Sequence, residues 1–307
     1  MQIGVVFPQS EIGNDPGAIR DYAQAVEGLG YTHVAAFDHV IGADPASRPG
    51  WKPLYTHENA FHEVFVLFGF LAGCTARVGL VTSILILPQR QAALVAKQAA
   101  EVDVLSGGRL RLGVANGWNP VEYEALGEDF RTRGRRIEEQ IAFLRALWCD
   151  PLASFDGERY AIHDAGLNPL PVQRPIPVWL GGMADAVVSR VGRVADGWFP
   201  RFPGLGKRGP TEIMPTRPEA PAAIIARMRE HAAAAGRDPA SIGIEGRVRL
   251  CGRTEEEWFA ELEDWRALGA THMQVYTMEH GLNGADAHLE PLCRFAGAMK
   301  ARGLDLS

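Results

Sequence analysis

The chain has 307 residues, of which 47% are hydrophobic and 22% charged, as is typical of a folded globular protein rather than a disordered one. Its formal net charge of -6 argues against nucleic acid as a general partner, because phosphate binding needs a basic surface. The longest apolar runs, such as Val78 to Leu87, are too short to span a bilayer, and Met1 leads directly into a strand, so we expect a cytoplasmic protein.

Strand patterns alternate with helix patterns along the whole chain. In the first helix, for example, Ile19, Tyr22 and Val26 recur at helical spacing between two β-rich stretches. The predicted strands cover residues 3–7, 33–37, 78–84, 110–115, 177–180, 197–199, 242–248 and 272–276. Eight strands that alternate with eight helices, without a break in composition, predict an α/β fold: one (β/α)8 TIM barrel over residues 1–307.

Three segments depart from this plain alternation. A loop from Asp38 to about His57 and a Pro/Gly-rich stretch at about 200–221 are both longer than ordinary connections, and loops of this length are usually functional. We interpret the second stretch as a mobile lid. The dipeptide Asp156-Gly157 predicts a small hairpin outside the barrel.

The carboxyl ends of the strands are where a barrel of this kind places its chemistry. Asp38-His39 ends the second strand, where an imidazole could bind a polar ring or move a proton. The alternative is a capping aspartate beside a histidine with a purely structural hydrogen bond. Gly181-Gly182 follows the fifth strand and could either give amides to a phosphate or form a tight turn.

Other groups of polar residues give weaker signals. His57, Glu58, His62 and Glu63 match no known ligand spacing, so we expect no metal. Ser83 lacks the sequence context of an exposed nucleophile, which argues against a hydrolase.

Two helix surfaces also invite predictions. The arginines between 131 and 136 stand at helical spacings from Glu138 and Glu139, which predicts ion pairs along one helix. Exposed apolar helix faces, including the one near Trp148, suggest a homodimer.

The central stretch of the chain resembles the luciferase-like class of flavin and deazaflavin oxidoreductases. Residues 78–90 read VGLVTSILILPQR, and residues 96–118 read AKQAAEVDVLSGGRLRLGVANGW. The runs PVWLGG at 177–182 and ADGW at 195–198 match the same class, so the resemblance covers residues 1–200 well. The chain departs from the family at Ala115, where a glycine is usual.

The resemblance implies a cofactor at the mouth of the barrel. An Asp-His pair after the second strand, here Asp38-His39, is the signature of the branch that uses the deazaflavin coenzyme F420, with FMN as the alternative. The family also places a bulge with a non-proline cis peptide after the third strand, at Ser83-Ile84. The residues that would bind the cofactor are Asp38, His39, Thr82, Ser83, Ile84, Asn116, Gly117, Gly181, Gly182 and Met183.

With F420, the implied reaction is hydride transfer to or from a small organic substrate that the sequence does not identify. His39 would be the acid or base, Trp118 would shape the substrate side, and Trp51, His57 and the lid near Arg201 would close over it. Two alternatives stay open. One is a monooxygenase that uses reduced FMN supplied by a separate flavin reductase, and the other is a flavin-binding protein without turnover.

Overall fold

The computed structural model of this chain describes residues 1–202 and 219–307. Within these ranges the chain forms eleven strands. They are β1 (Gln2–Val6), β2 (His33–Ala36), β3 (Gly79–Thr82), β4 (Leu85–Ile86), β5 (Leu110–Ala115), β6 (Ala153–Asp156), β7 (Ala161–Ala165), β8 (Val178–Gly181), β9 (Gly197–Phe199), β10 (Gly243–Arg249) and β11 (His272–Tyr276).

Nine of these strands close into a parallel barrel. β1 pairs with β2 on one side and with β11 on the other, and β10, β9, β8 and β5 continue the ring from β11. β3 and β4 close it, because both pair with β5, through Leu80 opposite Leu110 and Leu85 opposite Val114. They are two segments of one barrel strand, so the predicted eight-stranded TIM barrel is confirmed.

Helices cover the outside of the barrel, and the sequence marks where several of them begin or end. α3 stops at Gly107, whose φ of 71° favours glycine, and α8 begins with a capping box between Thr254 and Glu257. The helices are α1 (Pro16–Gly28), α2 (Val64–Cys74), α3 (Ala92–Ser106), α4 (Pro120–Ala125), α5 (Arg133–Cys149), α6 (Asp185–Val194), α7 (Pro221–Ala234), α8 (Glu255–Ala267) and α9 (Ala285–Ala301). α4 has only six residues, too few for helical spacing to predict it.

The predicted hairpin is confirmed. β6 and β7 pair antiparallel, with Asp156 opposite Ala161, and they take no part in the barrel. The ring of Phe155 lies 5.4 Å from that of Phe143, edge to face, which attaches the hairpin to α5.

The interior of the barrel near the amino ends of its strands holds a largely buried polar group that we call the floor cluster: His33, Arg111, Glu245 and His272. His33 Nε2 and Arg111 Nη2 each lie 2.7 Å from a carboxylate oxygen of Glu245. Gly4 gives this group its space, since a Cβ there would lie 2.3 Å from the His33 ring. These side chains link β2, β5 and β10 across the barrel, as expected for the end of the fold that serves stability.

Two predictions about helix surfaces were wrong. Glu138 pairs with Arg190 and Arg193 of α6 rather than with the arginines at 131–136 on its own chain segment. Trp148 is fully buried and donates its indole N–H to the carbonyl of Ala96, so it is not part of an exposed apolar face. Both errors have one cause: helical spacing shows which residues share a face, but not which neighbouring helix covers that face.

The predicted lid at about 200–221 falls mostly on residues 203–218, which lie outside the described residues. In the ranges that are described, no helix combines the length and the hydropathy needed to cross a bilayer.

Candidate active site

The bulge between β3 and β4 lies at the centre of the predicted cofactor site. The Ser83-Ile84 peptide is cis, as the resemblance implies. Thr82 donates its hydroxyl to the carbonyl of Gly113 at 2.7 Å, and a Cβ on Gly181 would lie 2.9 Å from a methyl of Ile84. The bulge is therefore tightly packed between the ends of β5 and β8, and the Thr82 hydroxyl is occupied by the protein itself.

Asp38 anchors the segment that follows the bulge. Its carboxylate accepts the amide of Ile86 at 2.9 Å and pairs with Arg90 at 2.6 Å, and the residue is only 2% exposed. Arg90 also pairs with Glu63. Burial alone would lower the pKa of Arg90, but the two carboxylates outweigh it and raise that pKa. Contact between Asp38 and a cofactor stays a prediction, whereas its role as an anchor is visible in the structure.

His39 lies beside this anchor, among aromatic side chains. The ring centroids of Phe61, Tyr55 and Trp118 lie 4.8, 5.2 and 5.6 Å from that of His39, all edge to face. Trp51 lies against Trp118 at 6.3 Å. The predicted proximity of His39, Trp118 and Trp51 is thus present.

Glu122 is a site residue that sequence reasoning missed. Asn119 and Glu122 have capping-box spacing, which would turn the carboxylate back to the start of its own helix. Instead Asn119 alone caps α4, and Glu122 accepts from the amide of Val40 at 2.7 Å and lies 3.2 Å from His39 Nδ1. The only sequence signal was one that indicates a helix cap.

A cavity of about 160 Å³ opens next to His39. Tyr55 and Phe61 line it together with His57, which the sequence analysis placed near the substrate. Its remaining lining is Val40, Ile41, Gly42, Thr56, Asn59 and Asn119. Most of these residues belong to the long loop after β2, so this loop forms the wall of the cavity.

The residues after β5 form a second wall. Tyr123 donates its hydroxyl to the carbonyl of Asn116 at 2.6 Å, which ties the loop to α4. Asn116 Oδ1 is buried and has no hydrogen-bond partner among the residues that the structure describes. Gly117 has a φ of 67° and lies so close to Ile86 that a Cβ would approach that side chain to 2.6 Å.

The segment after β8 has the features of a phosphate cradle. Gly182 has a φ of 124°, and its carbonyl accepts the indole N–H of Trp198, which orients the turn. The N-cap of α6 is Ala184, whose side chain cannot accept a hydrogen bond. The amide of Val187 donates to the carbonyl of Ala184, and the two helix amides before it are left for an outside acceptor. Met183 lies between Gly182 and Ala184 and packs against the core.

A polar chain beneath the bulge was also missed. Gln274 donates to Ser83 Oγ at 3.1 Å and accepts from Arg247 at 2.9 Å, and the Arg247 guanidinium lies over the rings of Phe37 and Tyr276. Both Arg247 and Gln274 lie on the predicted last two strands. The alternation of inward and outward positions on those strands could have found them.

No group of three or more histidine, cysteine, aspartate or glutamate residues forms a potential metal site in the part of the chain that the structure describes. The residues suspected in the sequence have other contacts: Glu63 pairs with Arg90, and His62 lies at the edge of Phe7.

These residues fit a flavin-type ring with a phosphate. The unpartnered Asn116 oxygen can accept a hydrogen bond from a ring edge, and the uncapped start of α6 can bind an anion. Both lie at the carboxyl end of the barrel, on the same side as the bulge and His39. The fold and the site together define a TIM barrel whose mouth can take a flavin-like ring and a phosphate.

Comparison with known proteins agrees with this description. Residues 1–303 match the family model for luciferase-like monooxygenases, and the chain belongs to that family. An uncharacterised Mycobacterium tuberculosis protein is 38% identical over 182 residues, which are 58% of this chain and 62% of that protein. The pyrimidine monooxygenase RutA of Escherichia coli is 33% identical over 259 residues, 78% of this chain and 62% of RutA.

A third relative, the FMNH(2)-dependent dimethylsulfone monooxygenase of Pseudomonas putida, is 36% identical over 142 residues, 45% of this chain and 39% of that enzyme. This chain therefore spans at most 62% of the length of these relatives.

Two solved structures share the fold. The monooxygenase RslO1 from Streptomyces bottropensis aligns with a TM-score of 0.77 at 18% identity, over 99% of this chain and all of that one. An F420-dependent secondary alcohol dehydrogenase aligns with a TM-score of 0.73 at 18% identity, over 97% and 98% of the two chains. These likenesses establish the fold.

Proposed function

We propose that this chain is an oxidoreductase that binds F420 and transfers a hydride between this deazaflavin and a small organic substrate. The observation that carries the proposal is the arrangement of the Asp38-His39 pair. Asp38 secures the segment after the bulge through Ile86, and His39 is left beside the cavity with Nδ1 as its one hydrogen-bonded ring nitrogen among residues 1–202 and 219–307.

Bound F420 supplies a carbon atom that accepts or donates a hydride. Asn116 and the bulge at Ser83-Ile84 would bind its ring, while Gly181, Gly182 and Met183 with the start of α6 would hold its phosphate. His39 Nε2 would accept the proton that the substrate releases as it is oxidised, and would return it when the substrate is reduced. Trp118 lies edge to face against His39 and Trp51 lies against Trp118, so apolar surface flanks the imidazole on this side.

A second candidate is a monooxygenase that uses reduced FMN from a separate flavin reductase. Two relatives above 30% identity support it, because both are named monooxygenases and one name includes FMNH(2). The same residues would bind the ring and the phosphate. The two candidates differ in whether molecular oxygen is consumed.

Fluorescence titration of the purified protein with F420 and with FMN tests both candidates. We expect F420 to bind at least about tenfold more tightly, and to support substrate turnover without oxygen uptake. Tighter binding of FMN, together with oxygen consumption when reduced FMN is supplied, would favour the second candidate instead. Failure of both cofactors to bind would contradict the cofactor site itself.

The homodimer also remains a proposal, with a different surface as its basis. The outer face of α2 carries Val66, Gly69, Phe70 and Gly73, with Val66 72% and Phe70 42% exposed. A second copy of the chain is the partner that we propose for this face, because a helix face without a charged residue is unusual on a surface that stays in water.

A further inference from the structure

The carboxylate of Glu122 is fully buried, yet its ionic partner is a histidine rather than an arginine or lysine. Oε1 accepts the amide of Val40 at 2.7 Å, and Nδ1 of His39 lies 3.2 Å from Oε2 and 3.3 Å from Oε1. Among residues 1–202 and 219–307, no arginine or lysine forms an ion pair with it. A buried carboxylate is costly without compensation, so this arrangement commits Glu122 to His39.

The chemistry of the pair fixes the proton on His39. An ionised carboxylate can only accept hydrogen bonds, so the ring nitrogen that faces Glu122 must carry a proton. In the neutral imidazole this leaves Nε2 as the unprotonated nitrogen. Nε2 has no protein partner in the described part of the chain and is not among the buried unpartnered atoms, so it stays accessible.

We propose that Glu122 is the positioning residue of this site: it holds His39 in the Nδ1-protonated form and thereby makes Nε2 the atom that exchanges a proton with the substrate. The proposal rests on the role given to His39 above and holds with either cofactor. When Nε2 takes a proton from a substrate O–H or N–H group, the electron pair of that bond stays on the substrate. The Nδ1–H bond is retained, and Glu122 stabilises the imidazolium.

The other ionisable groups around His39 make different contacts and do not hold its Nδ1. Asp38, its chain neighbour, is neutralised by Arg90. On the loop after β2, Tyr55 contacts the ring edge to face and His57 lines the same cavity. Of the ionisable groups that α4 and this loop bring to the ring, Glu122 is the one within hydrogen-bond reach of Nδ1.

Glu122→Gln makes a sharp test because Val40 dictates the orientation of the new amide. The Val40 N–H needs an acceptor, so the amide oxygen should occupy the Oε1 position. The NH2 group then occupies the Oε2 position, 3.2 Å from Nδ1, where a proton on Nδ1 would face the amide protons, so we expect Nδ1 to become an acceptor. We therefore expect this substitution to move the proton of the neutral ring from Nδ1 to Nε2.

The first measurement uses the protein without cofactor. In ¹⁵N spectra of histidine-labelled protein above neutral pH, we expect His39 to show a protonated Nδ1 in the wild type and a protonated Nε2 in Glu122→Gln. Glu124→Gln, on the exposed side of the same helix, is the matched control and should keep the wild-type pattern. A protonated Nε2 in the wild type would overturn the proposal even if no variant folds.

The second measurement is turnover with the cofactor that binds. Glu122→Gln should lower kcat about 10²–10⁴-fold with an altered pH profile and little change in cofactor affinity, since a wrongly protonated imidazole cannot act as a base. An exchanged tautomer without cofactor-dependent turnover in any variant would refute the proposed function and leave the positioning role intact. Turnover in the wild type with an unchanged tautomer in Glu122→Gln would refute the positioning role and leave the proposed function intact.

Discussion

Two histidine–glutamate pairs lie at opposite ends of the same barrel strand. His33 begins β2 and meets Glu245 in the floor cluster at 2.7 Å, whereas His39 follows β2 and meets Glu122 at the mouth at 3.2 Å. Both carboxylates are fully buried. The two pairs differ in what surrounds them, and this difference separates a structural pair from one that can do chemistry.

Arg111 is the decisive neighbour in the floor cluster. Burial alone would raise the pKa of Glu245, but Arg111 and His33 outweigh burial and lower this pKa to about 2. Burial lowers the pKa of His33, and Arg111 lowers it further, against the opposite effect of Glu245. The His33 imidazole is therefore neutral at physiological pH. At the mouth, within the described part of the chain, no arginine pairs with Glu122, and an accessible ring nitrogen faces away from the carboxylate.

The largest effect on folding should come from breaking the floor pair. Replacing Glu245 by alanine leaves Arg111 buried without a counter-charge, and we expect the free energy of unfolding to fall by about 3–5 kcal/mol. Urea unfolding measures this loss. Glu101→Ala removes an exposed pair with Lys97 and is the control, with an expected loss below about 0.5 kcal/mol. A similarly small loss for Glu245→Ala would contradict the structural role of the floor cluster.

Breaking the mouth pair should affect activity in addition to stability. His39→Ala is expected to lower turnover about 10²–10⁴-fold, because the acid or base is lost, and to lower the urea midpoint as well, because the buried Glu122 carboxylate loses its partner. Steady-state kinetics with the cofactor that binds provide the measurement. Unchanged kinetics would remove His39 from the active site and leave both histidine–glutamate pairs with a structural role.

Acid should destabilise the floor cluster through His272. Burial and Arg111 lower the pKa of His272 to about 3, so the folded protein favours its neutral form. Its contribution to stability is complete above about pH 6.5 and is lost as the pH falls toward 3. His272→Asn should therefore make the unfolding free energy less steeply dependent on pH in this window. The change in slope corresponds to the uptake of up to about one proton on unfolding. An equally steep dependence in the variant would exclude His272 as its source.

The comparison also shows what the sequence could predict. His39, Trp118 and the strand ends were found because barrel strands point their carboxyl ends to one face, and a strand's end can be read from its hydrophobic pattern. Glu122 could not be found in that way, since its spacing from Asn119 looks like a helix cap. Arg90 was hidden for a related reason: the sequence shows that Asp38 ends a strand, but not which cation reaches it from beyond the bulge.

A smaller effect is expected where the cofactor ring is proposed to lie. Gly181→Ala brings a methyl group to 2.9 Å from Ile84 and 3.5 Å from Ala115, so the bulge must shift. We expect a loss of about 1–3 kcal/mol in stability and several-fold weaker cofactor binding. Gly297→Ala, in an open position on α9, is the control and should stabilise the protein slightly. Unchanged cofactor affinity in Gly181→Ala would place the ring elsewhere.

The smallest effect on folding and catalysis should follow from Val66→Glu. A charge on the outer face of α2 is expected to weaken self-association at least about tenfold, which light scattering would detect as a shift from dimer to monomer mass. Leu152→Glu introduces the same charge at another exposed apolar position and should leave the mass unchanged. A dimer that tolerates Val66→Glu would have its interface on another surface.

The hydrogen bond from Val40 to Glu122 has a consequence for how such a barrel can acquire new specificities. The carboxylate that holds His39 comes from α4, whereas most of the cavity wall comes from the loop after β2. The loop beyond Val40 can therefore be exchanged for one of different shape while the hydrogen bond that fixes the imidazole is preserved. For an engineer, residues 41–59 are the part to graft, and Glu122 is the part to keep.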